Sequence, residues 1–218
     1  MFDKLRKVVL SAIGVVSVGV LGYLGATDHA PFGSKPEAPA QVNKGYFDEA
    51  LAVVLKHEGY LSDDPIDKGG LTKWGVSLRF LQLEKIDVDG DGDVDIDDIK
   101  KLTKTDADKI YLNKFWNRNG YGRILDKKIA IKMMDISVNT GANRAHKILK
   151  KAINDVIYSP IEVNGILDND TIELVNFIDT KLLLDALRNQ QKQFYLDIIK
   201  ITPSYIKFKN GWLNRAKW

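Results

Sequence analysis

The sequence contains no cysteine, which excludes a disulfide framework and a zinc–thiolate cluster. Histidine is scarce too: His29, His57 and His146 are the only three, and none is spaced as a metal-binding pair. Any bound cation must then be held mainly by oxygen, the donor that calcium and magnesium prefer. Of six prolines, three (Pro31, Pro36, Pro39) fall within residues 27–44, a stretch without apolar periodicity that reads as a linker. Strand-like alternation is sparse beyond Phe47 and no repeat of domain size recurs, so the part after the linker is expected to be mainly α. What is present suffices for a core: 218 residues with 44% hydrophobic content fit one or two small domains. The net charge of +3 is unevenly spread. Residues 1–26 carry +2 and residues 87–98 carry seven aspartates and no base, which leaves +8 on the remainder. Such a basic body fits an anionic partner, either nucleic acid or cell-envelope polymer.

Lys4, Arg6 and Lys7 precede nineteen uncharged residues, Val8 to Ala26. As a helix this run spans about 28 Å at roughly 1.5 Å per residue, close to a hydrocarbon core. Its basic N-terminal flank would stay cytoplasmic, so residues 1–26 are expected to form a transmembrane signal-anchor with everything beyond residue 27 outside the inner membrane. Gly14, Gly19, Gly22, Gly25, Ser11 and Ser17 dilute the apolar residues. In this the segment resembles the signal-arrest-release segments of some phage lysis enzymes, which implies an anchor able to leave the bilayer. A cleaved signal peptide and a permanent anchor are the alternatives.

Between Gly45 and Tyr60, Phe47, Leu51, Val54 and Leu55 recur at helical spacing, and Glu58 continues the same stripe. A carboxyl group turned toward an apolar face is desolvated in its charged form, which favours a protonated general acid near neutral pH. Spacing alone leaves open a glutamate that bends out to water at a frayed helix end. Farther on, Ile129, Ala130, Ile131, Met133, Met134, Ile136 and Val138 cover nearly every face of a helix expected near 127–140, which makes that helix central. Asp135 and Asn139 share one of its faces and need either a polar network or a cleft.

The loop after Glu58 resembles the start of glycoside hydrolase family 108, N-acetylmuramidases of phages and bacteria that cut peptidoglycan. The matching residues are Glu58-Gly59-Tyr60-Leu61, where the family has Glu-Gly-Gly-Tyr, then the Asp-Pro stretch around Asp64-Pro65, Gly69-Gly70-Leu71-Thr72 and Gly75-Val76-Ser77. The likeness continues through Phe115-Trp116, Asp135 to Asn139, Thr140-Gly141 and Arg144-Ala145 to Gly211-Trp212, covering roughly residues 45–218. It implies a lysozyme-like helical domain over 45–158 with Glu58 as general acid. Asp67 is assigned the second catalytic role because it lies nine residues on, the glutamate-to-aspartate separation of many phage lysozymes, and Thr72 resembles their water-binding threonine. Asp63 and Asp64 compete for that role, with a solvated turn as their bland alternative. The resemblance also turns Asp135 and Asn139 toward sugar. Trp74, Trp116 and Tyr121 are candidate stacking platforms, or core aromatics.

Residues 87–98 run Asp-Val-Asp-Gly-Asp-Gly-Asp-Val-Asp-Ile-Asp-Asp, in register with an EF-hand loop. Asp87, Asp89 and Asp91 take positions 1, 3 and 5, Gly92 the turn, Asp93 the backbone-carbonyl position, Asp95 the ninth and Asp98 the twelfth. Aspartate at the last position is also seen in dockerin-type calcium loops. One loop without a second copy is expected to act as a Ca2+-dependent structural staple inserted in the helical domain, the alternative being a solvated acidic loop.

Residues 142–157 form a basic amphipathic helix with Arg144, Lys147, Lys150 and Lys151 expected outward. Around Val163 to Thr171 the chain is similar to the small peptidoglycan-binding module paired with this catalytic domain, which assigns 159–218 to a C-terminal peptidoglycan-binding-like helical region. Its end interleaves Phe208, Trp212 and Trp218 with Lys207, Lys209, Arg215 and Lys217, a mixture suited to sugar and anionic wall polymer or to packing back on the catalytic domain. Export argues against nucleic acid. The expected protein is thus a monomeric lysozyme-type endolysin at the host inner membrane, facing or released into the periplasm. A non-catalytic, calcium-stabilised wall-binding protein on a lysozyme-like scaffold is the alternative.

Overall fold

The computed structural model describes residues 44–58 and 72–218, with Lys44 and Glu58 as backbone only. The expected membrane segment (1–26), most of the linker and the loop that carries Asp63, Asp64 and Asp67 lie outside the described residues. Within them the chain is mainly helical: α1 (Phe47–Glu58), α2 (Leu78–Glu84), α3 (Ile96–Lys101), α4 (Lys104–Ile110), α5 (Lys127–Thr140), α6 (Ala142–Asn154), α7 (Asn169–Phe177), α8 (Thr180–Ile201) and α9 (Lys209–Lys217). A π-helical stretch, Tyr111–Asn117, prolongs α4. The one sheet among the described residues is a small antiparallel hairpin, β1 (Thr72–Lys73) with β2 (Val76–Ser77). None of the described helices is long and apolar enough to cross a membrane.

Helix α5 is the axis of the molecule, as its all-round apolar sequence predicts. Eleven of its residues are buried, and α1, α6 and α8 pack around it. Asp126 caps its start by accepting from Lys128 N and Ile129 N at 2.8 and 3.1 Å, which satisfies two of the amides a helix leaves orphaned. At its other end Gly141, at φ +84°, returns its amide to Ser137 and at once opens α6. That backbone angle favours glycine and lets two long helices meet without a loop.

The apolar core is continuous from Phe47 to Leu187 and includes Leu167, Ile172, Val175, Leu183 and Leu184 beyond residue 158. The C-terminal helices therefore share the core of the part before them. One charge on α6 departs from expectation for a related reason. Lys150 is buried, because its ammonium reaches Asn164 Oδ1 and Asp168 Oδ2, both at 2.9 Å, under the turn that opens α7. Lys147 and Lys151 are exposed as predicted, while Arg144 is half-buried and donates to the Thr140 carbonyl at 3.2 Å.

Candidate active site and its supporting network

Helix α1 buries Phe47, Ala50, Leu51, Val54 and Leu55 against α5, so its last turn is held by the core. Glu58 is the last residue of that turn. The residue before it, His57, keeps 20% of its side chain exposed, and its Nδ1 lies 2.9 Å from Asp135 Oδ1. The edge of His57 also meets Trp218, with ring centroids 5.6 Å apart at 80°.

Asp135 has no exposed surface. Besides His57 it receives Arg215, whose Nε donates at 3.1 Å and Nη2 at 2.8 Å to the same Oδ1. Burial by itself would raise the pKa of this carboxyl, but the Arg215 charge and the hydrogen bonds from His57 and Arg215 outweigh it and hold the group below the ordinary carboxylate range. An ionised carboxylate only accepts, so the shared hydrogen sits on His57 Nδ1. One turn back on α5, the buried Lys132 donates to the carbonyls of Arg215 and Ala216 at 3.0 and 3.2 Å and lies over the Trp218 ring. These contacts close the C-terminal end of α9, where unpaired carbonyls attract a cation. Burial pushes the Lys132 ammonium down to about 8 despite the attraction of Asp135.

Several expectations are corrected here. Asp135 cannot touch sugar, because all its surface is taken by Arg215, His57 and the core. Asn139 accepts from the Tyr195 hydroxyl at 2.7 Å, which joins α5 to α8, and as a half-buried residue it keeps part of its surface open. Trp116 and Tyr121 have no exposed surface. They pack edge to face with each other, and the Tyr121 hydroxyl lies 3.1 Å from His146 Nε2, which makes them core rather than stacking platforms. Trp218 packs back on His57 and Lys132. The residues that sequence reasoning missed are His57, Lys132 and Arg215. His57 had a legible signal, being on the helix beside the candidate acid, but its partners lie 78 residues away or more.

Thr72 and Trp74 keep access to solvent in part. Thr72 pairs with Ser77 across the hairpin, and Trp74 and Gly75 form its turn with φ of +54° and +76°. Two positive φ values in succession match the right-handed twist of a tight hairpin. A side chain at position 75 would also collide with the Tyr111 hydroxyl, so glycine is needed there twice over. Ser77 then caps α2 by accepting from Phe80 N at 3.2 Å.

The acidic loop is folded around its own carboxylates. Asp87 accepts from Gly90 N and Gly92 N at 2.6 and 2.9 Å, and Gly92 takes φ +101°. Asp98 is buried and accepts from Val88 N at 2.6 Å and Asp95 N at 2.7 Å, while Asp95 caps α3. Burial opposes ionisation of Asp98, yet these amide bonds hold its carboxyl below the ordinary range. Carboxylate oxygens of Asp87, Asp89 and Asp91 lie within 4.8 Å of one another, as do those of Asp93, Asp95 and Asp98. Mutual repulsion, led by Asp91, raises the pKa of Asp93. Lys101 offsets some of that charge through Asp89 at 2.5 Å. The helix that follows the loop, α3, is tied to the hairpin, because Lys73 Nζ donates to the Lys100 carbonyl at 2.6 Å.

Residues 51–141 match the family model described as glycosyl hydrolase 108, and residues 144–217 match one described as a predicted peptidoglycan domain. The first span includes Glu58, Asp67, Thr72 and Asp135, the second Arg215. Among solved structures the chain is similar to Brucella abortus SagA, with 25% identity and a TM-score of 0.63 over 80% of this chain and 91% of that one. No curated protein matches.

Proposed function

We propose that this chain, a glycoside hydrolase with a glycosyl hydrolase 108 domain followed by a peptidoglycan-binding-like domain, is an N-acetylmuramidase that cuts the bond between N-acetylmuramic acid and N-acetylglucosamine in bacterial cell lysis. The observation that carries this reading is the place of Glu58, inside the matched span at the end of a helix whose apolar stripe is packed on α5. Glycosidic cleavage needs a proton at the leaving oxygen and a second group that activates water or steadies the oxocarbenium-like transition state. Glu58 supplies the proton. Asp67 takes the second role, Thr72 holds the water, and Trp74, on the partly open hairpin turn, is the remaining stacking candidate. Zymography on purified peptidoglycan, with mass analysis of the new reducing ends, tests the reading: ends on N-acetylmuramic acid support it, and an amidase or glucosaminidase product overturns it.

In the same reading the acidic loop takes Ca2+ as a structural staple. Its residues fit a hard, oxygen-loving ion: Asp87, Asp89, Asp91, Asp95 and Asp98 offer carboxylates in EF-hand register, Asp93 its carbonyl, and Gly92 the sharp turn. Residues 1–26 anchor the chain in the inner membrane with the enzyme as a monomer on the periplasmic side, held there until release. The uncharged run behind Lys4, Arg6 and Lys7 supports that placement.

A further inference from the structure

We propose that His57 is a positioning residue for the hydrolytic reaction, its imidazole clamping the last turn of α1 to Asp135 and Trp218 and so fixing the backbone from which Glu58 projects. The inference rests on the reading of Glu58 as the acid. It is carried by geometry that a plain helix end does not need. A glutamate closing a helix would swing with the fraying of that turn, and proton transfer tolerates little displacement, since an error near 1 Å can cost on the order of a hundredfold in rate. Here the residue before it is gripped on two sides. Asp135 holds His57 Nδ1 at 2.9 Å, and the Trp218 ring meets the imidazole edge on. The grip is itself anchored, because Asp135 is wholly buried and held by two nitrogens of Arg215, while Lys132 fixes the Arg215 and Ala216 carbonyls and underlies Trp218. The clamp draws one residue from the end of α1, two from α5 and the rest from α9 and its cap Trp218. The region matching the peptidoglycan domain thereby contributes to the catalytic end of the other.

The choice of side chain follows from the same contacts. Asp135 ionised needs a donor, and His57 provides one at Nδ1 while its flat ring fits the edge-to-face contact with Trp218. Asparagine places an amide N–H near the position of Nδ1 and so preserves the donor. Alanine removes it.

The test uses the full chain, with steady-state hydrolysis of purified peptidoglycan. His57→Ala is expected to lower kcat at least tenfold with KM within about twofold, and His57→Asn to recover much of that loss. A kcat for His57→Ala equal to wild type overturns the proposal, as does a loss that asparagine does not relieve. A second measurement avoids dependence on the variants folding: 15N spectra of histidine-labelled wild-type protein should show His57 protonated at Nδ1, and a neutral ring protonated at Nε2 overturns the clamp. The two readings fail differently. Wild-type protein without muramidase activity, or full activity in Glu58→Gln, removes the assigned acid and the positioning role with it. An active enzyme that needs Glu58 but is indifferent to His57→Ala removes the positioning role alone.

Discussion

Arg215 reaches Asp135 from 80 positions away in sequence and donates to it through both Nε and Nη2 in a place closed to water. A buried pair of this kind gains little over a well-packed apolar pair, since both charges are stripped of solvent, but breaking it leaves one charge without compensation. Its effect is to tie α9 to the central helix in one register.

Arg215→Met is therefore expected to destabilise the chain by about 3–5 kcal/mol in urea unfolding, and Arg215→Lys to rescue it poorly, because a point charge cannot reproduce the two-nitrogen contact. Replacing both partners, Asp135→Leu with Arg215→Met, should recover most of the loss. The acid dependence has a defined sign. With the folded pKa of Asp135 below the ordinary 3.8, its stabilisation is complete above that value and is lost as the pH falls below it. A double variant as unstable as Arg215→Met would show that the ion pair is not the cause.

Lys132 predicts a trend of the same sign in an alkaline window. Its ammonium is pushed down to about 8 in the folded chain from 10.5 unfolded, so between those values the unfolded chain binds more protons and stability from this group rises with pH. The gain is at most roughly 3 kcal/mol, by the conversion of 1.36 kcal/mol per pKa unit. Other lysines titrate in that range, so the check is a difference: the unfolding free energy of wild type minus that of Lys132→Met, measured from pH 7 to 10.5, should climb. A flat difference would mean that Lys132 titrates as it does in water.

The central helix was legible because its apolar residues occupy every face, and no other arrangement hides them all. The polar anomaly at Asp135 was legible for the same reason. Its resolution was not. Helical spacing states which residues share a face but says nothing of what faces them, and the partners His57 and Arg215 come from opposite ends of the described chain. Trp116 and Tyr121 show the converse limit: an aromatic ring suits a sugar or a core equally well, and only the packing of Phe47 and His146 around them settles it. Lys150 was misjudged because a helical wheel cannot anticipate Asp168 folding back over it.

Calcium should raise the melting temperature. A ligand at a hundred times its dissociation constant adds about 2.7 kcal/mol, which for a chain of this size is roughly 5–10 °C. Asp87→Asn with Asp98→Asn should abolish the gain, while in chelator the wild type should melt earlier and over a broader range. The bond from Lys73 to the Lys100 carbonyl links α3, the helix that closes this loop, to the hairpin bearing Thr72, so loss of calcium should lower kcat as well as stability. A melting curve unmoved by millimolar calcium would reduce the acidic loop to a solvated surface.

Glu58→Gln removes a proton donor while keeping the shape and hydrogen-bonding reach of the side chain. A general acid typically contributes a hundred- to ten-thousandfold, so kcat on peptidoglycan should fall by roughly that factor with the melting temperature unchanged. Asp67→Ala should cost less, since Thr72 can still hold water near the reacting carbon, and Thr72→Val on top of it should remove most of what remains. The ordering is the informative part. Equal losses in Glu58→Gln and Asp67→Ala would indicate two carboxylates acting as a unit, as in a retaining pair, whereas an undiminished rate for Asp67→Ala would move the second role to Asp63 or Asp64 in the same loop.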